Sequence, residues 1–198
     1  MRHHLEEFMQ TRIQPAQPDQ MSQEVEVILG GATSASEDPE GKGPPNILFT
    51  IAHHPALLPS FLDFAATLAM RGVLRRRDAE LIALRTSLNC RSAFEWGHHV
   101  EYGLAAGLAE EEIERITHGP DHATWSNRDR LLLRACDELH AKQHISDETF
   151  AGLRGELDDA QIVELTFVVG NYTMLSMVAN ATGVPVEDRL PGLPEKRA

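Results

Sequence analysis

The sequence predicts an all-α protein. Apolar residues recur at intervals of three and four along successive segments, which is the period of an amphipathic helix. Serine and aspartate stand at the predicted helix starts, and glycines stand at several predicted ends. No strand-like alternation of apolar and polar residues persists anywhere. With 198 residues, 42% of them hydrophobic, the chain can form one compact domain with a sizeable core.

Residues 1–45 are predicted to be an N-terminal extension. A Pro- and Gln-rich connector precedes Ser22–Leu29, for which we expect a helical turn or two. Residues 30–45 read GGATSASEDPEGKGPP, which is the composition of a flexible loop. Because this loop carries no residue that suggests chemistry, we expect disorder or a lid there.

Residues 46–184 are predicted to be a helical domain. A short helix begins at Asn46, and a second helix has Pro55 near its start and Gly72 as its stop. Two consecutive helices then run from Asp78 to Leu108, with a break near Cys90–Arg91. They form the predicted central pair of the fold.

Four more helices complete the predicted domain. They are a short acidic helix over Glu110–Thr117, helices begun by the caps Ser126 and Ser146, and a last helix capped by Asp158 or Asp159. The last helix is apolar on almost every side from Leu165 to Val178, which predicts a place in the middle of the assembly. Residues 185–198 are expected to form an extended, Pro-rich tail.

The last helix also predicts self-association. Its apolar residues surround the whole circumference: Phe167, Val168, Val169, Met174, Leu175, Met177 and Val178. Burying each of these side chains stabilises the protein by roughly 1.5–3 kcal/mol. The other helices of the chain are few and mostly short, so they cannot cover every side. We therefore expect a homo-oligomer in which a subunit interface covers this helix. The alternative is that the N-terminal extension covers it and leaves a monomer.

Charge and cysteine content exclude several classes of protein. A net charge of −12 argues against nucleic acid or an anionic membrane as a partner. Two cysteines, Cys90 and Cys136, are too few and too far apart for a redox Cys-x-x-Cys pair. The N-terminus lacks the apolar core of a secretory signal, and no apolar run approaches about 20 residues. We expect a cytoplasmic protein without a cofactor or metal.

The candidate site lies on the central pair. Ser92, Glu95, His99 and Tyr102 share one face of the second helix, and Glu80 borders the apolar stripe of the first. We therefore predict that Glu80 and His99 lie within hydrogen-bond or one-water distance. A histidine between carboxylates is suited to moving protons near neutral pH. The alternative is a buried polar network that only fixes helix packing.

Other candidate residues have simpler interpretations. Ser92 also fits a helix N-cap. His98 faces away from His99 on the helical wheel and is expected at the surface or an interface. Cys136, His140 and His144 recur every four residues, a spacing that metal ligands use. Because the HExxH pattern is absent and Ile145 ends the helix, we expect no metal site there.

The spacing Glu80…Ser92-x-x-Glu95-x-x-x-His99, with the phrases AELIALRTS and FEWGHHVEYGLAAGL, resembles the carboxymuconolactone decarboxylase-like family. That family includes the alkylhydroperoxidase D-like peroxidases. The resemblance covers roughly Pro55 to Val184 and implies an alkylhydroperoxidase D-like helical bundle. In the peroxidase branch a Cys-x-x-Cys pair stands where Ser92 and Glu95 stand here. The chain is therefore more similar to the decarboxylase-type branch.

The resemblance implies a decarboxylation, or a related lyase or isomerase step, on a small carboxylate- or lactone-bearing substrate. His99 would be the general acid and base, and Glu80 and Glu95 would tune it or relay protons. Ser92 and Tyr102 would hold substrate oxygens. Family members form trimers or hexamers, which implies a site near a subunit boundary. A peroxidase and a non-catalytic ligand-binding or assembly protein are the alternatives.

Overall fold

The computed structural model describes residues 10–35 and 43–194, and within them all regular structure is helical. After a 3₁₀ turn at Pro18–Gln20 there are nine α-helices: α1 (Gln23–Ala35), α2 (Asn46–Ile51), α3 (Leu57–Met70), α4 (Arg76–Asn89), α5 (Ala93–Ala105), α6 (Glu110–Ile116), α7 (Asn127–Lys142), α8 (Asp147–Arg154) and α9 (Asp159–Thr182). The predicted all-α class is confirmed.

Helix α4 is the centre of the fold. It packs against α5, α6, α7 and α9, and nearly every residue from Glu80 to Leu88 is buried. Its charged side chains are paired with neighbouring helices. Both arms of the Arg85 guanidinium bind Asp137 at 2.7 Å, and Arg128 binds Asp78 at 2.7 Å. These pairings allow a helix with many charged residues to be buried on all sides.

The turn between α4 and α5 sets their register. Arg91 has a positive φ of 54°, and Ser92 is extended and caps α5. The Oγ of Ser92 accepts a hydrogen bond of 3.3 Å from the Glu95 backbone N–H. The predicted break near Cys90–Arg91 and the predicted N-cap are confirmed. Because the turn is so short, α5 folds back along α4 and brings their side chains together.

Helix α1 is longer than the sequence predicts. It continues to Ala35, so the prediction of a loop is wrong for residues 30–35. Val25 and Leu29 are buried against α2 and the C-terminal half of α9, and this anchorage lets the helix propagate through weak helix formers. Residues 36–42 of the predicted loop lie outside the described residues, and residues 43–45 have no regular structure, as predicted.

Helix α9 is capped as predicted but is not central. The Asp158 carboxylate accepts from the Gln161 backbone N–H at 2.8 Å and forms a capping box. One side of α9 is solvent-exposed, because α4 occupies the middle of the bundle and α9 covers only one flank of it. By length and composition, α9 is apolar enough to cross a membrane. Its other sides pack on α3, α4, α5, α7 and α8, as in the core helix of a folded domain.

Candidate active site

Glu80 and His99 meet in the interior between α4 and α5. The Oε2 atom of Glu80 lies 2.6 Å from Nδ1 of His99, and the two residues are 2% and 4% exposed. The predicted approach within hydrogen-bond distance is confirmed. On the other side of the ring, Nε2 lies 3.7 Å from Oε2 of Glu95, too long for a hydrogen bond but within ion-pair range. The imidazole therefore stands between two buried carboxylates.

Arg76 extends this row of charges to the surface. Its Nη2 lies 2.8 Å from the second oxygen of Glu80, and its side chain is 49% exposed. Its Nη1 donates to the Ala69 carbonyl at 3.0 Å. Sequence reasoning missed Arg76, although an arginine and a glutamate four residues apart are a recognised helical ion pair.

Glu95 is the most perturbed carboxyl of the site. Its pKa is raised to about 7, chiefly by burial; the charge of His99 lowers this pKa and the charge of Glu187 raises it. Its Oε1 atom is buried and has no hydrogen-bond partner among the residues that the structure describes. Near neutral pH this carboxyl therefore gains and loses a proton readily.

Two tyrosine rings contact the edge of the His99 ring. The centroid of Tyr102 lies 5.5 Å away, and the centroid of Tyr172, on α9, lies 4.2 Å away with the planes at 77°. Burial raises the pKa of both phenols, and the charge of Glu80 raises them further, so both rings keep their protons. Tyr102 is 40% exposed, whereas Tyr172 is largely buried. Tyr172 was missed because it lies far along the chain in an apolar helix.

Ser92 is buried and acts as the cap of α5. Because its Oγ accepts from the Glu95 backbone N–H, Ser92 holds the first turn of α5 in place. It thereby fixes the backbone position of Glu95. Of the five predicted site residues, the structure brings Glu80, Glu95, His99 and Tyr102 around one point. Ser92 supports them from the helix start.

The prediction that His98 lies at the surface or an interface is wrong. His98 is 4% exposed, and its Nε2 lies 3.0 Å from Oε2 of Glu187 in the C-terminal segment. Glu187 also accepts from the Asn46 backbone N–H at 3.0 Å. Burial opposes ionisation of Glu187, but these hydrogen bonds lower its pKa below the ordinary value. A segment almost 90 residues away covers this face, which the helical wheel does not show.

The histidine and cysteine stripe of α7 does not form a metal site. Cys136 is buried in the core, and burial raises the pKa of its thiol to about 12. His140 instead lies beside Cys90, with Nδ1 3.8 Å from Sγ. Within residues 10–35 and 43–194 no group of three histidine, cysteine, aspartate or glutamate side chains is placed to hold a metal ion.

Part of this chain matches a known protein family. Residues 55–132 match the model of the carboxymuconolactone decarboxylase family, and this segment contains all five predicted site residues. Tyr172 lies outside it. No curated protein matches the sequence.

Three solved structures share the fold over almost their whole length. A peroxidase-related protein from Silicibacter sp. TM1040 is 19% identical with a TM-score of 0.77, covering 94% of this chain and 96% of its own. A peroxidase-related protein from Ralstonia eutropha JMP134, with an alkylhydroperoxidase core, is 16% identical with a TM-score of 0.76. The match covers 89% of this chain and 92% of that protein. A debrominase is 14% identical with a TM-score of 0.74, and the match covers 91% of this chain and 94% of the debrominase. These likenesses confirm the predicted alkylhydroperoxidase-like fold.

Proposed function

We propose, from the premise that this chain belongs to the carboxymuconolactone decarboxylase family, that it is an enzyme moving protons on a small organic substrate. The proposed substrate bears a carboxylate or a lactone, and the proposed reaction is a decarboxylation or a related lyase or isomerase step. No cofactor is required for such chemistry if the protein supplies a well-placed acid.

The buried row of Glu80, His99 and Glu95 is the observation that supports this proposal most. With Glu80 ionised and paired to Arg76, His99 and Glu95 hold one exchangeable proton between them. That proton rests on the Glu95 carboxyl or on Nε2 of His99, and the total charge is the same in both states. Because burial raises the pKa of Glu95 to about 7, this carboxyl can hold the proton near neutral pH and also give it up.

The reaction step uses this proton. When a carboxylate leaves as carbon dioxide, the electron pair of the broken carbon–carbon bond stays on the substrate as a carbanion or enolate. The proton held by His99 and Glu95 then transfers to that carbon, and solvent restores it. Exclusion of water strengthens the interaction of the acid with the developing charge.

Substrate access is expected where the cluster meets the surface. Arg76 and Tyr102 are its two exposed members. Arg76 pairs with Glu80, which contacts His99, and Tyr102 contacts the His99 ring itself. A guanidinium suits a substrate carboxylate, and a phenol that keeps its proton suits a carbonyl or lactone oxygen. The side chains of Arg76 and Tyr102 therefore belong to the proposed binding site.

Two alternatives remain from other classes. A peroxidase on the same fold would need reactive thiols, but Ser92 and Glu95 occupy the positions at which the peroxidase branch has cysteines. Cys90 lies two residues earlier and faces Thr173 and His140 rather than His99. In a ligand-binding protein without catalysis, the same cluster would only fix the packing of the helices.

The test is a turnover assay on a panel of small lactones and carboxylates in deuterated water. Carbon dioxide release and deuterium incorporation report the two halves of the step. We expect His99→Ala to lower turnover by about 10²–10⁴-fold, the usual contribution of a general acid and base. His54→Ala, at an exposed histidine, is the matched control. Turnover that survives His99→Ala would refute the assignment, and none across the panel with wild-type protein would favour the ligand-binding alternative.

A further inference from the structure

Tyr102 and Tyr172 contact the same imidazole from two different helices. The Tyr102 ring, on α5, lies 5.5 Å from the His99 ring with the planes at 83°, and the Tyr172 ring, on α9, lies 4.2 Å away at 77°. We propose that the two phenol hydroxyls form an oxyanion hole, in which both donate to one substrate oxygen. This inference rests on the proposed function and assigns Tyr172 a direct contact with the substrate.

The proposed decarboxylation creates a negative oxygen that needs hydrogen-bond donors. The bond between the substrate carbon and its carboxylate breaks, and carbon dioxide leaves. The electron pair of that bond forms a carbon–carbon double bond, and the π electrons of a neighbouring carbonyl move onto its oxygen. Donors placed at the oxygen of this enolate stabilise the transition state. The proton of His99 and Glu95 then transfers to the carbon, the carbonyl forms again, and solvent replaces the proton.

The phenol hydroxyls are the uncommitted donors of the cluster. Nδ1 of His99 is engaged by Glu80, and the proton shared by His99 and Glu95 is the one that transfers to carbon. Arg76 pairs with Glu80 and is the proposed contact of the substrate carboxylate. No hydrogen bond joins either phenol hydroxyl to another residue within the described part of the chain. Both hydroxyls are therefore available to a substrate oxygen.

The charges around the two phenols suit this role. Burial raises the pKa of both phenols, and the charge of Glu80 raises it further, so each phenol keeps the hydrogen that it would donate. Glu80 is paired with Arg76, and His99 and Glu95 share one proton, so the row as a whole carries no net charge. An oxyanion at the phenols is therefore not opposed by a net negative charge.

The oxyanion hole specifies the substrate class. The electron pair reaches an oxygen only if a carbonyl is conjugated with the carbon that loses the carboxylate. The expected substrates are therefore acids with a ketone or lactone carbonyl β to the carboxylate. An acid without this carbonyl would leave a carbanion that has no oxygen for the phenols to bind, so we expect it not to react.

The first experiment measures the binding of 4-nitrophenol, because its phenolate oxygen imitates that of an enolate. At a pH at which the free probe is ionised, Tyr172→Phe and Tyr102→Phe should each weaken its binding by about 10-fold or more, the contribution of one hydrogen bond to a charged group. Nitrobenzene lacks that oxygen and should bind both variants as it binds wild type. Thr173→Val is the matched control, since Thr173 Oγ1 lies 3.9 Å from Cys90 Sγ and not at His99.

Three outcomes of the binding experiment would overturn the proposal. One is a phenolate affinity that is the same in wild type and Tyr172→Phe, and another is no binding to wild type. The third is an equal loss of phenolate and nitrobenzene binding in Tyr172→Phe, because Tyr172 would then only shape the site.

The second experiment measures decarboxylation of paired acids with and without a carbonyl β to the carboxylate. Tyr172→Phe should lower kcat by about 10²–10³-fold, the usual effect of losing one oxyanion donor, and should change KM little because the oxygen is charged only in the transition state. A kcat unchanged in Tyr172→Phe but abolished in His99→Ala would refute the oxyanion hole and leave the proposed function intact. Phenolate binding through both phenols, without turnover of any acid, would refute the proposed function and leave the oxyanion hole intact.

Discussion

Glu80 Oε2 lies 2.6 Å from His99 Nδ1, with the two side chains only 2% and 5% exposed. An ionised carboxylate only accepts hydrogen bonds, so Nδ1 of His99 carries the hydrogen in this contact. In the neutral ring, Nε2 is then a bare acceptor directed at Glu95. The position of Glu80 thus determines which nitrogen of His99 exchanges protons with Glu95.

The first prediction concerns this tautomer. In wild-type protein, ¹⁵N NMR of the neutral form of the His99 ring should show Nδ1 protonated and Nε2 bare. In Glu80→Gln both tautomers should appear, because an amide can either accept from Nδ1–H or donate to a bare Nδ1. The turnover of Glu80→Gln should also fall, by about 10²–10⁴-fold relative to wild type. Glu148→Gln, at an exposed residue of α8, is the control. A neutral wild-type ring with its hydrogen on Nε2 and a bare Nδ1 would contradict this account.

The second prediction concerns stability and pH. Burial raises the pKa of Glu95 to about 7 from its ordinary value of 4.5. A carboxyl whose folded pKa is raised contributes stability that is complete below the unfolded pKa and is lost as pH rises through the folded value. Wild-type protein should therefore lose stability relative to Glu95→Gln between about pH 4.5 and 7, by on the order of 3 kcal/mol.

Urea unfolding of both proteins at pH 5 and pH 8 measures this difference. Glu95→Gln should be relatively more stable at pH 8, since its neutral amide carries no buried charge. The exposed variant Glu148→Gln should follow the wild-type pH dependence. Parallel curves for wild type and Glu95→Gln would show that the Glu95 carboxyl is not perturbed by its surroundings.

The helical hairpin and its site were predictable because their determinants are local. The cap at Ser92, the break at Cys90–Arg91 and the one-face spacing of Glu95 and His99 all lie within ten residues. Helical periodicity then fixes which side chains meet. Glu80 was found because it lies on the helix immediately before the turn.

The remaining features depend on distant parts of the chain. Tyr172 reaches His99 from α9, and Glu187 reaches His98 from the C-terminal segment. Nothing in the sequence near His98 or His99 shows that these segments fold back onto α5. The extent of α1 was also missed, because the burial of Leu29 that supports it is a tertiary contact.

The third prediction concerns the C-terminal segment. It crosses α5 at Gly97, where an added Cβ would lie 2.9 Å from Cβ of Leu190 and 3.2 Å from the Pro191 carbonyl oxygen. Gly97→Ala should therefore displace the segment and destabilise the protein by roughly 1–3 kcal/mol. Hydrogen exchange around Leu190 should become faster.

The matched control is Gly30→Ala in α1, where an added Cβ meets nothing within 4 Å. It should be neutral or stabilise the protein by up to about 1 kcal/mol through helix propensity. Unchanged hydrogen exchange around Leu190 in Gly97→Ala would mean that the C-terminal segment shifts without losing its contacts. The contact between Leu190 and α5 would then not be what holds it in place.

The fourth prediction is that the two cysteines do not support peroxidase turnover. The thiolate is the form that attacks a hydroperoxide. Burial raises the pKa of the Cys90 thiol, a hydrogen bond with Thr173 opposes this rise, and the charge of Glu95 adds to it. Cys136 is buried in the core, and both cysteines are free.

In native protein a thiol reagent should modify Cys90 slowly and Cys136 only after unfolding. Mass spectrometry after hydroperoxide treatment should find no internal disulfide. Rapid thiol-dependent turnover that disappears in Cys90→Ser would overturn this prediction and favour the peroxidase alternative.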